Sequence, residues 1–205
     1  MIKNIIFDLG DVIINIDLPR TTQAFAKLAN ISFEDSAKIL KDSELFKKVE
    51  TGILNEEGFR NFVREIFNHT EWTDQEIDTA WNTLLLDIPV ERIDLIKRLK
   101  SKYRLFLLSN TSAIHVKATN LILEQTTGVK SLNDLLEHLF LSYEMGVMKP
   151  DHAIFEMVLQ QANLKPEETL FLDDNADNVK ASIEMGIQTI HVQKPTSIVE
   201  YLKTY

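Results

Sequence analysis

The chain has 205 residues, 44% of them hydrophobic, with 22 basic and 31 acidic side chains and a formal charge of −9. That length suits one ordinary domain, or one domain carrying a smaller insertion, and the few Gly and Pro residues argue against a long disordered tract. The acidic balance argues against a nucleic-acid partner, whose phosphates require a basic face, and the absence of cysteine removes disulfides, thiolate nucleophiles and Cys-ligated metal centres.

In chain order, the first pattern is Ile5-Ile6-Phe7, a short apolar run closed by Asp8-Leu9-Gly10, which reads as a buried strand and a turn. The stretch from Ile5 to Ile16 is interrupted by Asp8 and Asp11, so it is too short and too charged for a signal segment or a membrane span. A soluble, cytoplasmic protein is expected. From about Asp17 to Asp87 there is no β run. Helical spacing recurs instead over Thr21 to Ala29, Phe33 to Leu40, Glu56 to Phe67 and Asp74 to Leu85, the last preceded by a capping box of Thr73 and Glu76. Val90 to Lys102 follows as an amphipathic helix, with Lys97, Arg98 and Lys100 on its solvated side. Leu105-Phe106-Leu107-Leu108 is the second strand and ends in Ser109-Asn110. Ala153 to Ala162 is a helix, Thr169 to Leu172 a strand ending in Asp173-Asp174, Val179 to Met185 a helix stopped by Gly186, and Ile187 to Val192 a last strand. Strands apolar throughout, with polar groups only at their carboxyl ends, are the mark of a parallel sheet covered on both faces. The alternation with helices predicts an α/β fold with right-handed crossovers.

In such a sheet the strand ends share one edge, so Asp8, Ser109 with Asn110, and Asp173 with Asp174 converge on one cleft, joined by Lys149 near the start of a helix. Facing carboxylates repel, and a cation is the usual remedy. The five His residues form no cluster with these acids, so the donors are oxygens from Asp8, Asp174 and a backbone carbonyl, a set that suits magnesium. With the Lys149 charge, the Ser109 hydroxyl and a helix N-terminus nearby, the arrangement points to phosphoryl transfer.

These residues also carry a family likeness. Phe7-Asp8-Leu9-Gly10-Asp11-Val12-Ile13, Leu107-Leu108-Ser109-Asn110, Met148-Lys149-Pro150-Asp151 and Phe171 to Asn178 resemble, in order and spacing, the four motifs of the haloacid dehalogenase superfamily, with a helical insertion where that family places a C1 cap. Within it, Ser109-Asn110-Thr111, Gly146 to Pro150, Phe171 to Asn178 and Glu50-Thr51-Gly52 give a narrower likeness to bacterial α-D-glucose-1-phosphate phosphatase-like members. The resemblance implies a Rossmann-like three-layer α/β sandwich of residues 1–16 and 88–205, with an all-helical cap of residues 17–87. It implies a Mg2+-dependent phosphatase for a small phosphorylated metabolite, a sugar phosphate such as glucose 1-phosphate, with monomer or homodimer left open. Asp8 would be the nucleophile forming an aspartyl-phosphate. The Gly10 carbonyl and Asp174 would complete the protein's share of the metal shell, and Asp173 would hold a metal-bound water or orient Lys149. Ser109 and the Asn110 backbone would bind phosphoryl oxygens, and Lys149 would balance charge.

One position departs from the pattern. The family's acid/base Asp stands two residues after the nucleophile, where this chain has Gly10, with Asp11 one residue later. Either Asp11 swings into the cleft or is a solvated turn residue; water or a substrate hydroxyl takes over; or the leaving group, such as an anomeric oxygen, departs with little help. The rivals are a metal-independent 2-haloacid dehalogenase, which Asp174 argues against, a phosphomutase, and a non-catalytic phosphate or phosphoprotein binding module. Trp72 and Trp81 are expected to pack within the cap. Glu50 either reaches the substrate across the cleft or simply ends its helix. His115 is expected on the surface of the helix after Ser109, and Asp177 with Asn178 is expected to cap or orient the loop after Asp174.

Overall fold

The computed structural model describes residues 1–205. Five parallel strands, β1 (Asn4–Phe7), β2 (Arg104–Ser109), β3 (His138–Leu141), β4 (Thr169–Asp173) and β5 (Gln188–His191), form one sheet in the order β3-β2-β1-β4-β5. The chain adds strands outward on one side of β1 and then returns to its other side, so the order reverses between β1 and β4. A crevice opens at such a reversal beyond the carboxyl ends of the strands. β1 is buried along its whole length, with Ile5, Ile6 and Phe7 following a buried Asn4 whose Nδ2 donates to Thr169 Oγ1 at 3.3 Å, whereas edge strand β5 (Gln-Thr-Ile-His) is partly exposed.

Side-chain parity divides the sheet between two layers. Ile5, Phe7, Leu105, Leu107, Leu170 and Leu172 join one cluster with Ile93, Ile96 and Leu99; Ile6, Phe106, Leu108 and Phe171 join another with Ile154, Phe155 and Val158. This is the three-layer sandwich expected from the sequence.

Five helices lie between β1 and the rest of the core: α1 (Leu18–Ala29), α2 (Phe33–Asp42), α3 (Leu45–Glu50), α4 (Glu56–Phe67) and α5 (Asp74–Asn82). The chain then forms α6 (Val90–Leu99), α7 (Ala113–Thr127), α8 (Leu132–Leu135), α9 (Ser142–Met145), α10 (His152–Gln161), α11 (Ala176–Glu184) and α12 (Ile198–Tyr201). The capping box at Thr73 is formed, with both reciprocal bonds to Glu76. Phe25, Phe59, Phe67, Trp72 and Trp81 build a separate apolar cluster for α1–α5, to which the core contributes Ile114 of α7. Both tryptophans are therefore packing residues, as expected. No helix is long and apolar enough to cross a membrane.

Entry to and exit from the five helices run side by side. The Asn15 and Asp17 amides donate to the Asp87 and Leu84 carbonyls, and the Leu86 amide donates to Asn15, each at 2.9 Å. Ile16 and Leu85 form an isolated antiparallel bridge between them.

Three features differ from the sequence expectation. β3 has no counterpart in the predicted strands, because Leu132, Leu135, Leu136, Leu139 and Phe140 keep helical spacing straight through α8 and β3. The predicted helices at 74–85 and 90–102 stop earlier, at Asn82 and Leu99. His115 is not on the surface: it is 6% exposed and lies flat against Trp81, ring centroids 4.8 Å apart. Packing of α5 on α7 covers it, a tertiary effect that helical spacing cannot reveal.

Candidate active site

Lys149 is the centre of the cleft. Its ammonium is buried and donates to Asp8 Oδ1 at 2.8 Å, Asp173 Oδ2 at 2.6 Å and the Leu108 carbonyl at 2.8 Å. An ammonium has three donors, and all three are used. Burial alone would lower the Lys149 pKa, but the charges of Asp8 and Asp173 outweigh it and hold the group above its ordinary value. The Asn110 side chain fixes the Lys149 backbone from both sides: its Nδ2 donates to the Lys149 carbonyl and its Oδ1 accepts from the Lys149 amide, each at 2.8 Å.

Asp8 follows β1 directly, and its amide donates to the Leu172 carbonyl at 2.9 Å, continuing the β1–β4 ladder by one residue. Burial pushes its carboxyl up to about 7, opposed by the Lys149 charge and reinforced by that of Asp173. Asp173 ends β4 and is fully buried. Its Oδ1 accepts from the Asn175 amide at 2.8 Å and from Asn178 Nδ2 at 3.0 Å, so Asn178 orients Asp173. Asp174 is partly exposed; burial, then the charges of Asp173 and Asp11, raise its pKa. Ser109, the last residue of β2, is buried at the same edge. Two residues on, Thr111 is tied down by its amide donating to Ser142 Oγ at 3.0 Å.

Asp8, Asp173 and Asp174 each place a carboxylate oxygen within 4.8 Å of the others. Three carboxylates against one ammonium leave two formal negative charges in a desolvated crevice, and a small, hard divalent cation is the partner that such an oxygen set fits.

Gly10 and Asp11 stand where the first motif departs from the family pattern. A Cβ built on Gly10 would stand 2.8 Å from Ile16 Cδ1, the movable end of that side chain. Asp11 adopts φ +53°, and its Oδ1 accepts from the Ile16 amide at 3.1 Å and pairs with Lys194 Nζ at 2.8 Å. Its carboxylate is thus engaged with the loop after β5. Sequence reasoning missed Lys194, which carries no motif, and His191, whose Nε2 lies 2.9 Å from the Asp174 carbonyl. It also missed the side-chain use of Asn110.

Glu50 is the last residue of α3, in the helical layer. Burial pushes its carboxyl up to about 7, and the charge of Lys149 partly opposes this. Beside it, Gly52 adopts φ +71°, and a Cβ there would fall 2.2 Å from the Tyr143 carbonyl oxygen. Only glycine lets this segment seat on α9. His115 makes a contact of 3.2 Å from Nε2 to the Trp81 carbonyl, and burial drops its pKa to about 4. It therefore serves the α5–α7 contact as a neutral imidazole.

A family profile described as haloacid dehalogenase-like hydrolase matches residues 2–186. The chain is 33% identical over 189 residues to a D-ribitol-5-phosphate phosphatase of Bacteroides thetaiotaomicron, covering 92% of this chain and 91% of that one. Among solved structures it is similar to a HAD family enzyme of the same organism in complex with magnesium and inorganic phosphate, with a TM-score of 0.90, 34% identity and coverage of 98% and 99%. A HAD-like family hydrolase of Porphyromonas gingivalis matches with a TM-score of 0.89 and 30% identity, covering 99% of this chain and 97% of that one.

Proposed function

Because the chain belongs to the haloacid dehalogenase-like hydrolase family, we propose that it is a magnesium-dependent phosphatase of a small phosphorylated sugar or polyol, working through an aspartyl-phosphate on Asp8. The observation that carries this reading is the buried cluster in which Lys149 bridges Asp8 and Asp173 beside Asp174.

Lys149 holds Oδ1 of Asp8 and so fixes the plane of the carboxylate that attacks phosphorus. Ser109 Oγ and the Asn110 main-chain N–H receive the phosphoryl oxygens; the Asn110 side chain is engaged with Lys149, which leaves its backbone for the substrate. Asp8, Asp174 and the Gly10 carbonyl would hold the ion, while Asp173 orients Lys149. When bound, magnesium neutralises charge on the transferring phosphoryl group. Residues 17–87 act as a cap that excludes bulk water and shapes the leaving-group side of the cleft. The polyol phosphate in the name of the Bacteroides relative supports a small hydroxylated substrate, and the glucose-1-phosphate likeness of the motifs falls in the same chemical class.

The test is phosphate release from ribitol 5-phosphate, glucose 1-phosphate and glucose 6-phosphate, with magnesium and after EDTA, beside Asp8→Asn. Magnesium-dependent release that disappears in Asp8→Asn is expected. Preference for glucose 1-phosphate would narrow the substrate to anomeric esters, and preference for ribitol 5-phosphate to open-chain polyols. Release that is unchanged in Asp8→Asn, or halide release from a 2-haloacid in EDTA, would overturn the reading.

A further inference from the structure

We propose that the end of β5 clamps the ion site: His191 and Lys194 are positioning residues that set the two turns whose oxygens would hold magnesium. The inference rests on the phosphatase reading for those oxygens, the Asp174 carboxylate and the Gly10 carbonyl. It adds two residues that lie outside all four motifs.

β5 is an edge strand, and β4 lies between it and β1. In the parallel register Asp173 stands opposite His191, and the Val192 amide donates to the Asp173 carbonyl at 2.9 Å. One residue on, a side chain continues the ladder. His191 Nε2 lies 2.9 Å from the Asp174 carbonyl. A carbonyl only accepts, so Nε2 carries the proton and donates it. The other end of that peptide unit is also held, since the Asn175 amide donates to Asp173 Oδ1 at 2.8 Å. Asp174 therefore sits between two tethered peptide planes, the one before it tied by Val192 and the one after it by His191 and Asp173. A residue has only two soft backbone dihedrals. Tethering both planes constrains both angles, and with them the direction in which the Asp174 carboxylate leaves the chain.

Lys194 reaches further. From the loop after β5 its ammonium pairs with Asp11 Oδ1 at 2.8 Å, joining the edge of the sheet to the turn that follows β1, two strands away. The same Oδ1 accepts from the Ile16 amide at 3.1 Å, and the Asp11 amide donates to the Ile14 carbonyl at 2.7 Å. That amide and the Gly10 carbonyl belong to one trans peptide and point in opposite directions. What holds Asp11 therefore aims the Gly10 carbonyl. Lys149, which follows β3, holds Asp8 and Asp173 from one flank of the sheet, while His191 and Lys194 hold Asp174 and Asp11 from the other.

The experiment is a calorimetric titration of metal-free, folded protein with magnesium, without substrate, beside the metal-free Tm of each variant. Partners that orient metal ligands are typically worth about 10–100-fold in affinity. His191→Phe keeps a ring but offers no N–H, and it should weaken magnesium binding by about that factor. His191→Gln retains an N–H donor and should recover part of the loss. Lys194→Met should weaken binding less, its ion pair being open to solvent, and Lys194→Arg should restore it. In phosphate release from ribitol 5-phosphate, His191→Phe and Lys194→Met should need correspondingly more magnesium for half-maximal rate. Wild-type magnesium affinity in both of these variants would overturn the proposal, and a lowered metal-free Tm with that affinity would leave both as packing residues. Lys194 is exposed, so its two variants decide the matter should the histidine variants fail to fold. Wild type that binds no magnesium would overturn the clamp and the phosphatase reading together. Wild type that binds it, with the expected losses in the variants, yet releases no phosphate from sugar or polyol phosphates would support the clamp and sink that reading alone.

Discussion

With three acceptors around its ammonium, Lys149 is the residue whose loss the cleft tolerates least. Lys149→Met removes the charge but keeps most of the volume, and it leaves Asp8 and Asp173 facing each other in a buried site. Breaking a buried pair by deleting one partner costs about 3–5 kcal/mol. A urea titration of metal-free protein should show a loss of that order, partly recovered when Asp173→Asn is added to the same chain. Full additivity of the two substitutions would mean that Asp173 and Lys149 do not sense each other. The elements that present Asp8, Ser109, Asp173 and Asp174 were legible in the sequence because each follows an apolar run with no other polar residue in it. The partners that position them were not. Asn110 bonds Lys149 across 39 positions and Lys194 reaches Asp11 from the far end of the chain, and no local spacing encodes either pairing.

Among the elements, α3 has the most exacting fit, because it meets α9 through backbone rather than side chains. Gly52→Ala adds a methyl group at 2.2 Å from the Tyr143 oxygen and in a left-handed conformation, so the segment must lift. The expected outcome is a fall in kcat/KM of tenfold or more, with a far-UV spectrum like that of wild type. A variant with unchanged kcat/KM would show that the approach of α3 to α9 has no part in turnover. Two helix ends were readable in advance: the cap of Thr73 with Glu76, and the stop at Gly186, where φ is +77°. β3 was not, because Leu132, Leu135, Leu136, Leu139 and Phe140 follow the helical period across both α8 and β3. What separates them is the place beside β2 that β3 fills, a property of the sheet and not of the segment.

For the molecule as a whole, the convergence of acidic groups ties stability to the ion. A ligand bound by the folded state alone adds about 2.7 kcal/mol at one hundred times its Kd, which corresponds to roughly 5–10 °C in a chain of this size. Magnesium should raise Tm by that amount, EDTA should reverse it, and Asp174→Asn should abolish most of it. A Tm indifferent to magnesium would argue that the three carboxylates do not bind it. The alternation of strand and helix made the sandwich legible from the sequence, since parity assigns Ile5 and Ile6 to opposite layers without knowledge of the topology. The docking of α1–α5 was not legible, because an amphipathic helix declares that it needs a partner without naming one.

The paired tethers at Asn15–Asp17 and Leu84–Asp87 leave and rejoin the sheet at a single point. Everything strung between them can be lengthened, exchanged or rebuilt while β1 keeps its neighbours β2 and β4. If the five helices shape the leaving-group side of the cleft as proposed, substrate choice can change above that junction without disturbing the strand ends beneath it.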